Sequence, residues 1–293
     1  MKFKHFLLLL LVCLLWAGNN ILSKLVITRL HVPPLFFTAV RFAIVSAVTL
    51  PWLLPMPRPA WRIVTVGLAM GAGSFGLMFV ALTWASPSEA AIVVQSSVPM
   101  TTLLSIWLLH ERIRWRRGLG IALALVGVLI VVWQPGFKLS AGMGFLLASA
   151  FCGSLGAVLM KQMGAIAPLQ FQAWVGLTGL ALLAPLSLWI EPQGLHAARE
   201  AGWLFVIAAL WAALVTSVFA HTAYYFLIAR YEANLISPLT LMTPLITIAL
   251  GIAITGDHFD ARMALGSAVA LLGVLLVAIR RTNAPIAAVQ EHS

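Results

Sequence analysis

Long runs of hydrophobic residues, separated by short polar connections, follow one another almost from the start of the chain to its end. A helix needs about 20 apolar residues to cross the hydrocarbon core of a bilayer. The pattern therefore predicts an all-α integral membrane protein with ten transmembrane helices. The approximate predicted limits are 6–28, 34–54, 61–84, 88–110, 116–133, 140–160, 168–190, 202–228, 233–254 and 261–280.

Two of these runs repeat each other. Residues 119–132 read LGIALALVGVLIVV and residues 265–278 read LGSAVALLGVLLVA, with nine of 14 positions identical. The match predicts an internal repeat of about half the chain. Each half then holds five spans, an odd number, so the second half lies inverted relative to the first, as in many transporters. The predicted units are residues 1–135 and 136–281, followed by a disordered cytoplasmic tail, 282–293.

The composition fits a membrane protein. Hydrophobic residues make up 62% of the chain and charged residues 9%, whereas a soluble domain has about 25% charged residues. Cys13 and Cys152 both lie inside apolar runs, where small buried residues are a better interpretation than a disulfide or a metal pair. The first apolar run is too long for a signal peptide and has no cleavage pattern, so it is expected to be retained.

The basic residues predict the orientation. One side of the predicted membrane carries 12 of them: Lys2, Lys4, Arg58, Arg62, Arg112, Arg114, Arg116, Arg117, Lys161, Arg230, Arg280 and Arg281. The other side carries four: Arg29, Lys138, Arg199 and Arg262. The positive-inside rule then places both termini in the cytoplasm, with the chain in the cell (inner) membrane. The basic run ERIRWRR is interpreted as a cytoplasmic loop, with a lipid or nucleic-acid site as the alternative.

Two prolines lie near the middle of the fourth and ninth predicted spans, Pro99 and Pro244. A mid-helix proline removes a backbone donor and kinks the helix. Paired breaks at corresponding places in two halves are a sequence indication of a central binding site. We therefore predict gating kinks at both prolines; ordinary transmembrane kinks are the alternative.

Several short motifs resemble those of the drug/metabolite transporter superfamily, specifically its ten-span EamA-type exporters. They are WAGNN with Lys24 in the first span, FTAV before Arg41 in the second, the two mid-span prolines, His110-Glu111, Gly256-Asp257, and the Leu-Gly…Gly-Val-Leu fifth and tenth spans. The resemblance covers about residues 6–281. It implies efflux of small metabolites, commonly amino acids, through a cavity between two inverted halves. Within the family the chain looks most like the branch that includes aromatic-amino-acid exporters.

Polar residues form stripes at helical spacing on several spans, where contact of polar side chains with lipid would cost free energy. We expect a cavity built by the first, third, fourth, sixth, eighth and ninth spans. Polar contacts between helices are the alternative interpretation of the same stripes. The candidate substrate-binding residues are Trp16, Asn19, Asn20, Phe79, Gln95, Thr102, His221, Tyr224, Tyr225 and Thr240.

Lys24 and Arg41 are the only cations well inside predicted spans. Either could pair with a substrate carboxylate. The alternative is a structural role, in which the side chain reaches the headgroups or binds carbonyl groups at a helix end. The structural role is the favoured interpretation for each.

No carboxylate lies near the middle of any predicted span. We therefore expect facilitated movement of the substrate down its gradient by alternating access. A proton-coupled drug or metabolite efflux carrier, with His221 carrying the proton, is the alternative. An integral-membrane enzyme would need clustered reactive groups, and a receptor or scaffold would need large extramembrane regions; the sequence has neither. The expected partners are a small-molecule substrate and membrane lipid, without cofactor, metal or nucleic acid, and the expected state is a monomer.

Overall fold

The computed structural model describes residues 2–110, 115–132, 140–163, 166–231, 236 and 239–278. These residues are helical throughout, apart from turns and connections, and contain no strand. Seven of the described helices are long and apolar enough to cross a membrane, and three shorter ones are also apolar. The basic run at 111–114, the linker at 133–139 and the tail from 279 onward lie outside the described residues.

We number the helices along the chain. The first half contains α1 (Phe3–Thr28), α2 (Pro34–Thr49), α3 (Ala60–Ala81), α4 (Pro87–Leu109) and α5 (Trp115–Val132). The second half contains α6 (Ala141–Lys161), α7 (Pro168–Ile190), α8 (Gly194–Leu210, Trp211–Ala220 and His221–Arg230), α9 (Met242–Thr255) and α10 (Ala261–Ala278). The three shorter apolar helices belong to α5, α9 and α10.

Helix α8 begins earlier than the sequence predicts. Its first residue is Gly194, and the predicted start at Gly202 is instead a break, where the backbone has φ 60° and ψ −137°. Glycine has no Cβ and adopts this conformation at little cost. The stretch 194–201, which includes charged residues, was expected to be a loop, but it is helical up to this break.

The packing partners repeat between the two halves. Helix α2 packs along α7, and α5 packs along α10. The pair α1 and α9 has its counterpart in α4 and α6, and the pair α1 and α8 has its counterpart in α3 and α6. Helix α2 also contacts α8, as α7 contacts α3. Each helix of one half thus meets the same kind of neighbours in the other half.

Helices α5 and α10, which carry the repeated sequence, are in backbone contact. A Cβ added to Gly273 would lie 2.7 Å from the carbonyl oxygen of Gly120, and one added to Gly127 would lie 2.6 Å from that of Gly266. The earlier glycine of α5 thus contacts the later glycine of α10, and the later one contacts the earlier. The two helices are therefore antiparallel. Small residues allow this approach, as is common between membrane helices.

The end of α7 is joined to the start of α2 by Glu191. Its carboxylate accepts hydrogen bonds from the backbone N–H groups of Leu35, at 3.2 Å, and Phe36, at 2.7 Å. These N–H groups belong to the first turn of α2 and have no partner within the helix. Burial raises the pKa of the Glu191 carboxyl, although the two N–H donors act in the opposite direction.

Candidate functional site

A cavity of about 250 Å³ lies where the two broken helices α4 and α9 meet α1 and α3. Both halves of the chain contribute to it. Its described lining residues are Trp16, Asn20, Met78, Ala90, Ala91, Val94, Gln95, Thr240, Thr243 and Pro244. None of these residues is charged, so the lining combines apolar side chains with amide, hydroxyl and indole groups. The expected contributions from the sixth and eighth spans are not among the described lining residues.

The break in α4 brings Gln95 to this cavity. The helix narrows to a 3₁₀ turn at Val94–Ser96 and resumes at Ser97. Pro99 lies four residues after Gln95, and proline has no N–H with which to bond the carbonyl group four residues earlier. The sequence therefore accounts for a break at this point.

Helix α9 has the matching break. Residues Thr240 and Leu241 form a turn before the helix begins at Met242. Pro244 lies four residues after Thr240, as Pro99 lies four residues after Gln95, and Thr240 and Pro244 both line the cavity. Pro185 shows that proline alone does not have this effect, because α7 continues as a helix through it.

Trp16, which lines the cavity, packs against two aromatic residues of α8. Its ring lies 5.0 Å from that of Tyr224 and 5.3 Å from that of His221, centroid to centroid. The buried indole Nε1 of Trp16 has no hydrogen-bond partner among the described residues. The Nδ1 atom of His221 lies 2.8 Å from the carbonyl oxygen of Thr216, and since a carbonyl only accepts, Nδ1 carries a proton.

Several predicted binding residues lie outside the described lining. Asn19 is buried, and its backbone carbonyl oxygen accepts a hydrogen bond from the Ser23 hydroxyl. Phe79 is fully buried in the apolar core, stacked on Phe37 at 5.7 Å. The hydroxyl of Thr102 donates to the carbonyl oxygen of Val98 at 3.0 Å. The side chain of Tyr225 lies outside the described set.

Five residues that line the cavity are not among the predicted binding or kink residues: Met78, Ala90, Ala91, Val94 and Thr243. The four apolar ones carry no polar signal; Met78 lies on α3, and the other three lie on α4 at or before its break. Thr243 lies one residue before Pro244, so a search for hydroxyl groups beside the proline would have found it.

Lys24 is held by the C-cap of α3, Leu82, and by the turn that follows it. Its ammonium group donates to the carbonyl oxygens of Leu82, at 2.7 Å, and Ala85, at 2.9 Å. The last carbonyl groups of a helix have no partner within it. Of the two roles considered for Lys24, binding of helix-end carbonyls is the one that these contacts describe.

Arg41 is buried between the two halves, with 1% of its surface exposed. Its Nε donates to the hydroxyl of Ser217 on α8 at 2.8 Å. The guanidinium carbon lies 4.7 Å from the ring centroid of Phe75 and 5.5 Å from that of Phe79, both on α3. The side chain thus contacts the third and the eighth helices, which are counterparts in the repeat.

Asp257 connects the two broken helices at the far end from their breaks. Asp257 follows the end of α9, and Ser88 lies in the first turn of α4. One carboxylate oxygen of Asp257 accepts hydrogen bonds from both the backbone N–H of Ser88, at 2.9 Å, and its hydroxyl. Thr255 donates to the other carboxylate oxygen at 2.6 Å. The two helices that shape the cavity are therefore joined directly.

The part of the chain that the structure describes contains no group of three or more histidine, cysteine or carboxylate residues that could hold a metal ion.

Known proteins resemble this chain over nearly its whole length. It is 24% identical to the "Probable amino-acid metabolite efflux pump" of Salmonella typhimurium over 280 residues, 92% of this chain and 93% of that protein. A protein of the same name from Escherichia coli is 24% identical over 287 residues, 94% of this chain and 95% of that one. The "Uncharacterized inner membrane transporter YedA" of Escherichia coli is 25% identical over 256 residues, 84% and 82% of the two chains.

The fold also occurs in a solved crystal structure. That structure and this one superpose with a TM-score of 0.63 at 22% sequence identity. The match covers 94% of this chain and 96% of the other chain. The model of the EamA-like transporter family matches this sequence twice, at residues 4–133 and 140–279. The chain therefore belongs to the EamA-like transporter family, and it is a membrane transporter rather than an enzyme.

Proposed function

We propose that this transporter exports amino acids or related small metabolites through the cavity between α1, α3, α4 and α9. The main support is the meeting of two equivalent helix breaks, at Gln95 and Thr240, in one cavity. Paired departures from regular α-helical structure, at corresponding places in two repeats, are typical of the central binding sites of transporters. The unpartnered indole N–H of Trp16 adds a donor whose desolvation a bound solute would offset.

The chemistry of the cavity suits an amino acid. Met78, Val94 and Trp16 can pack against an apolar side chain, and the amides of Asn20 and Gln95 can bond its polar end. The relatives named amino-acid metabolite efflux pumps support the same class of substrate. A volume of about 250 Å³ is near the lower limit for small-molecule pockets, which favours a solute of amino-acid size.

The proposed mechanism is alternating access between two inverted five-helix bundles, with ten spans and both termini in the cytoplasm of a monomer in the inner membrane. The reciprocal helix pairs and the antiparallel contact of α5 with α10 support the inversion. Labelling of single cysteines placed at Lys4 and Ser293 tests the topology. Both sites should react only with reagent on the cytoplasmic side; reaction from opposite sides would refute it.

Transport is proposed to be facilitative, because no carboxylate is among the described residues that line the cavity. The competing mechanism, proton coupling through His221, predicts that flux stops when the proton gradient is removed. Facilitated transport predicts that flux continues with a collapsed gradient, in the wild type and in the His221→Gln variant alike. A requirement for both the gradient and His221 would favour the proton-coupled carrier.

Efflux from proteoliposomes loaded with each of the twenty amino acids tests the substrate class. We expect several amino acids to leave faster than from protein-free liposomes. The Gln95→Ala variant should change the order of preference among them, with normal expression. If a thermal unfolding transition shows that the protein is folded, and no amino acid is transported, the proposal is overturned.

A further inference from the structure

The guanidinium of Arg41 is an unusual buried charge. Among the described residues, its Nε donates to the hydroxyl of Ser217, and its buried Nη1 has no hydrogen-bond partner. No carboxylate in the described ranges lies within ion-pair distance of it. The faces of Phe75 and Phe79 offer cation–π contacts, which carry no formal negative charge.

A cation in this position needs an anion for at least part of the time. Removing a charge from water is costly, and buried charges are normally paired or hydrogen-bonded on all donors. Ionisable residues inside membrane bundles usually mark the path of a solute or an ion. Lys24 differs from Arg41 in this respect, because its ammonium group already binds two carbonyl oxygens in the turn after α3.

A chain of aromatic contacts connects Arg41 to the cavity. The ring of Phe75 lies 4.7 Å from the guanidinium carbon and 6.2 Å from the ring of His221, centroid to centroid. His221 in turn contacts Trp16, which lines the cavity. One helical turn after Phe75 is Met78, another lining residue. A route from the cavity to the unpartnered donor would therefore require Phe75 and its aromatic neighbours to move.

The local backbone is suited to such a movement. Phe75 belongs to the π-helical segment Leu68–Gly76 of α3, and Ser217 belongs to the π-helical segment Trp211–Ala220 of α8. These segments occupy corresponding positions in the two halves, and Arg41 contacts both. π-Helical turns are rare and are often found at functional sites.

We propose that Arg41 is an occluded subsite of the cavity that binds the carboxylate of a transported amino acid. This inference rests on the proposed function. The planar guanidinium can bond both oxygens of a carboxylate through two parallel N–H groups, a fixed geometry that a lysine ammonium does not offer. Phe75 closes the subsite in this conformation and moves aside when the carboxylate enters.

The experiment compares acids with their esters. We measure counterflow of a labelled amino acid into proteoliposomes in the presence of unlabelled competitors. The competitors are phenylalanine, leucine and threonine and the methyl ester of each. The wild type should prefer the acid over the ester. In Arg41→Gln the affinity for the acid should fall about 10- to 100-fold while that for the ester changes little. Arg41→Lys should give an intermediate loss.

Arg62→Gln is the matched control. Arg62 donates to the carbonyl oxygen of Gln162 and lies over Trp61, away from the cavity, so the variant should keep the wild-type preference. If Arg41→Gln fails to fold, Phe75→Leu carries the test. Removing the closing ring should improve the affinity for the acid and leave that for the ester unchanged; equal changes for both would refute the subsite.

The possible failures are distinguishable. Absence of transport of any amino acid by the wild type would refute the proposed function. Transport by the wild type with the same acid preference in Arg41→Gln would refute the Arg41 subsite alone. A third arm replaces chloride by gluconate. An Arg41-dependent response to chloride, with an unchanged acid preference, would show an inorganic anion site and would also overturn the assignment to the substrate.

Discussion

Gly127 of α5 lies against Gly266 of α10 with no room for a side chain, since an added Cβ would come within 2.6 Å of the Gly266 carbonyl oxygen. Replacing Gly127 by alanine must push the two backbones apart. We expect Gly127→Ala to lower the free energy of unfolding by about 1–3 kcal/mol, the usual cost of overpacking. Denaturant titration of the purified protein in detergent measures this change.

Gly144 on α6 provides the control, because a Cβ added there meets nothing within 4 Å. Gly144→Ala should be neutral or stabilising by up to about 1 kcal/mol, the difference in helix propensity. A Gly127→Ala variant as stable as Gly144→Ala would mean that α5 and α10 are not in backbone contact.

The prolines at the two helix breaks should matter for transport more than for folding. The double variant Pro99→Ala, Pro244→Ala restores the missing N–H groups and favours straight helices. We expect the transport rate to fall about tenfold, corresponding to a barrier higher by about 1.4 kcal/mol, with an unchanged or higher unfolding temperature. Initial efflux rates and thermal unfolding are measured on the same preparation.

Pro185→Ala is the control for this double variant, because α7 is a continuous helix through Pro185. It should transport at the wild-type rate. If the double variant also transports at that rate, Pro99 and Pro244 have no role in gating.

The indole N–H of Trp16 should bind substrate rather than stabilise the fold. It has no partner among the described residues, so Trp16→Phe removes no hydrogen bond that the fold uses. We expect an apparent affinity about three- to tenfold weaker, from loss of one neutral hydrogen bond, with an unchanged unfolding temperature. Trp189→Phe, at a side chain 82% exposed, should change neither quantity. A Trp16→Phe variant with wild-type affinity would remove this residue from the site.

Lys24 should behave in the opposite way. Lys24→Met leaves the carbonyl groups of Leu82 and Ala85 without their donor and should cost about 2–3 kcal/mol of stability. The acid-over-ester preference should remain. The exposed Lys4, changed to Met, is the control for loss of charge alone. If Lys24→Met kept full stability and lost the acid preference, Lys24 and not Arg41 would be the carboxylate partner.

Glu191 should make stability depend on pH. Because burial raises the pKa of its carboxyl in the folded protein, the unfolded chain loses this proton first as the pH rises. The stability of the wild type should therefore fall, relative to Glu191→Gln, between the ordinary glutamate pKa and the raised value. Unfolding titrations of both proteins across this range measure the difference. If the stability of the wild type instead rose with pH, relative to Glu191→Gln, the two N–H donors would outweigh burial.

The sequence predicts the approximate positions of most helices, and it places a proline four residues after Gln95 and after Thr240, because these features depend on local properties. A run of apolar residues has to leave water wherever it lies, and a proline lacks its N–H in any environment. The helical stretch at 194–201 was missed because its composition, with three charged or titratable residues in eight, is that of a loop.

The choice between neighbouring residues could not be made in this way. Asn20 lines the cavity and Asn19 is buried, and Met78 lines it while Phe79 packs in the core. Adjacent residues point about 100° apart on a helix, and a polar stripe looks the same whether it faces a cavity or another helix. Such differences depend on the angle at which each helix meets its neighbours.

The sequence by itself therefore determined the class of protein, the approximate positions of most helices and the repeat, all of which follow from hydrophobicity and backbone chemistry. Only the tertiary structure decided that Lys24 binds the turn after α3 while Arg41 keeps a donor without a partner among the described residues. The reason is physical: a buried charge is stabilised or left unpaired by groups far away in the chain, and folding alone brings these groups together.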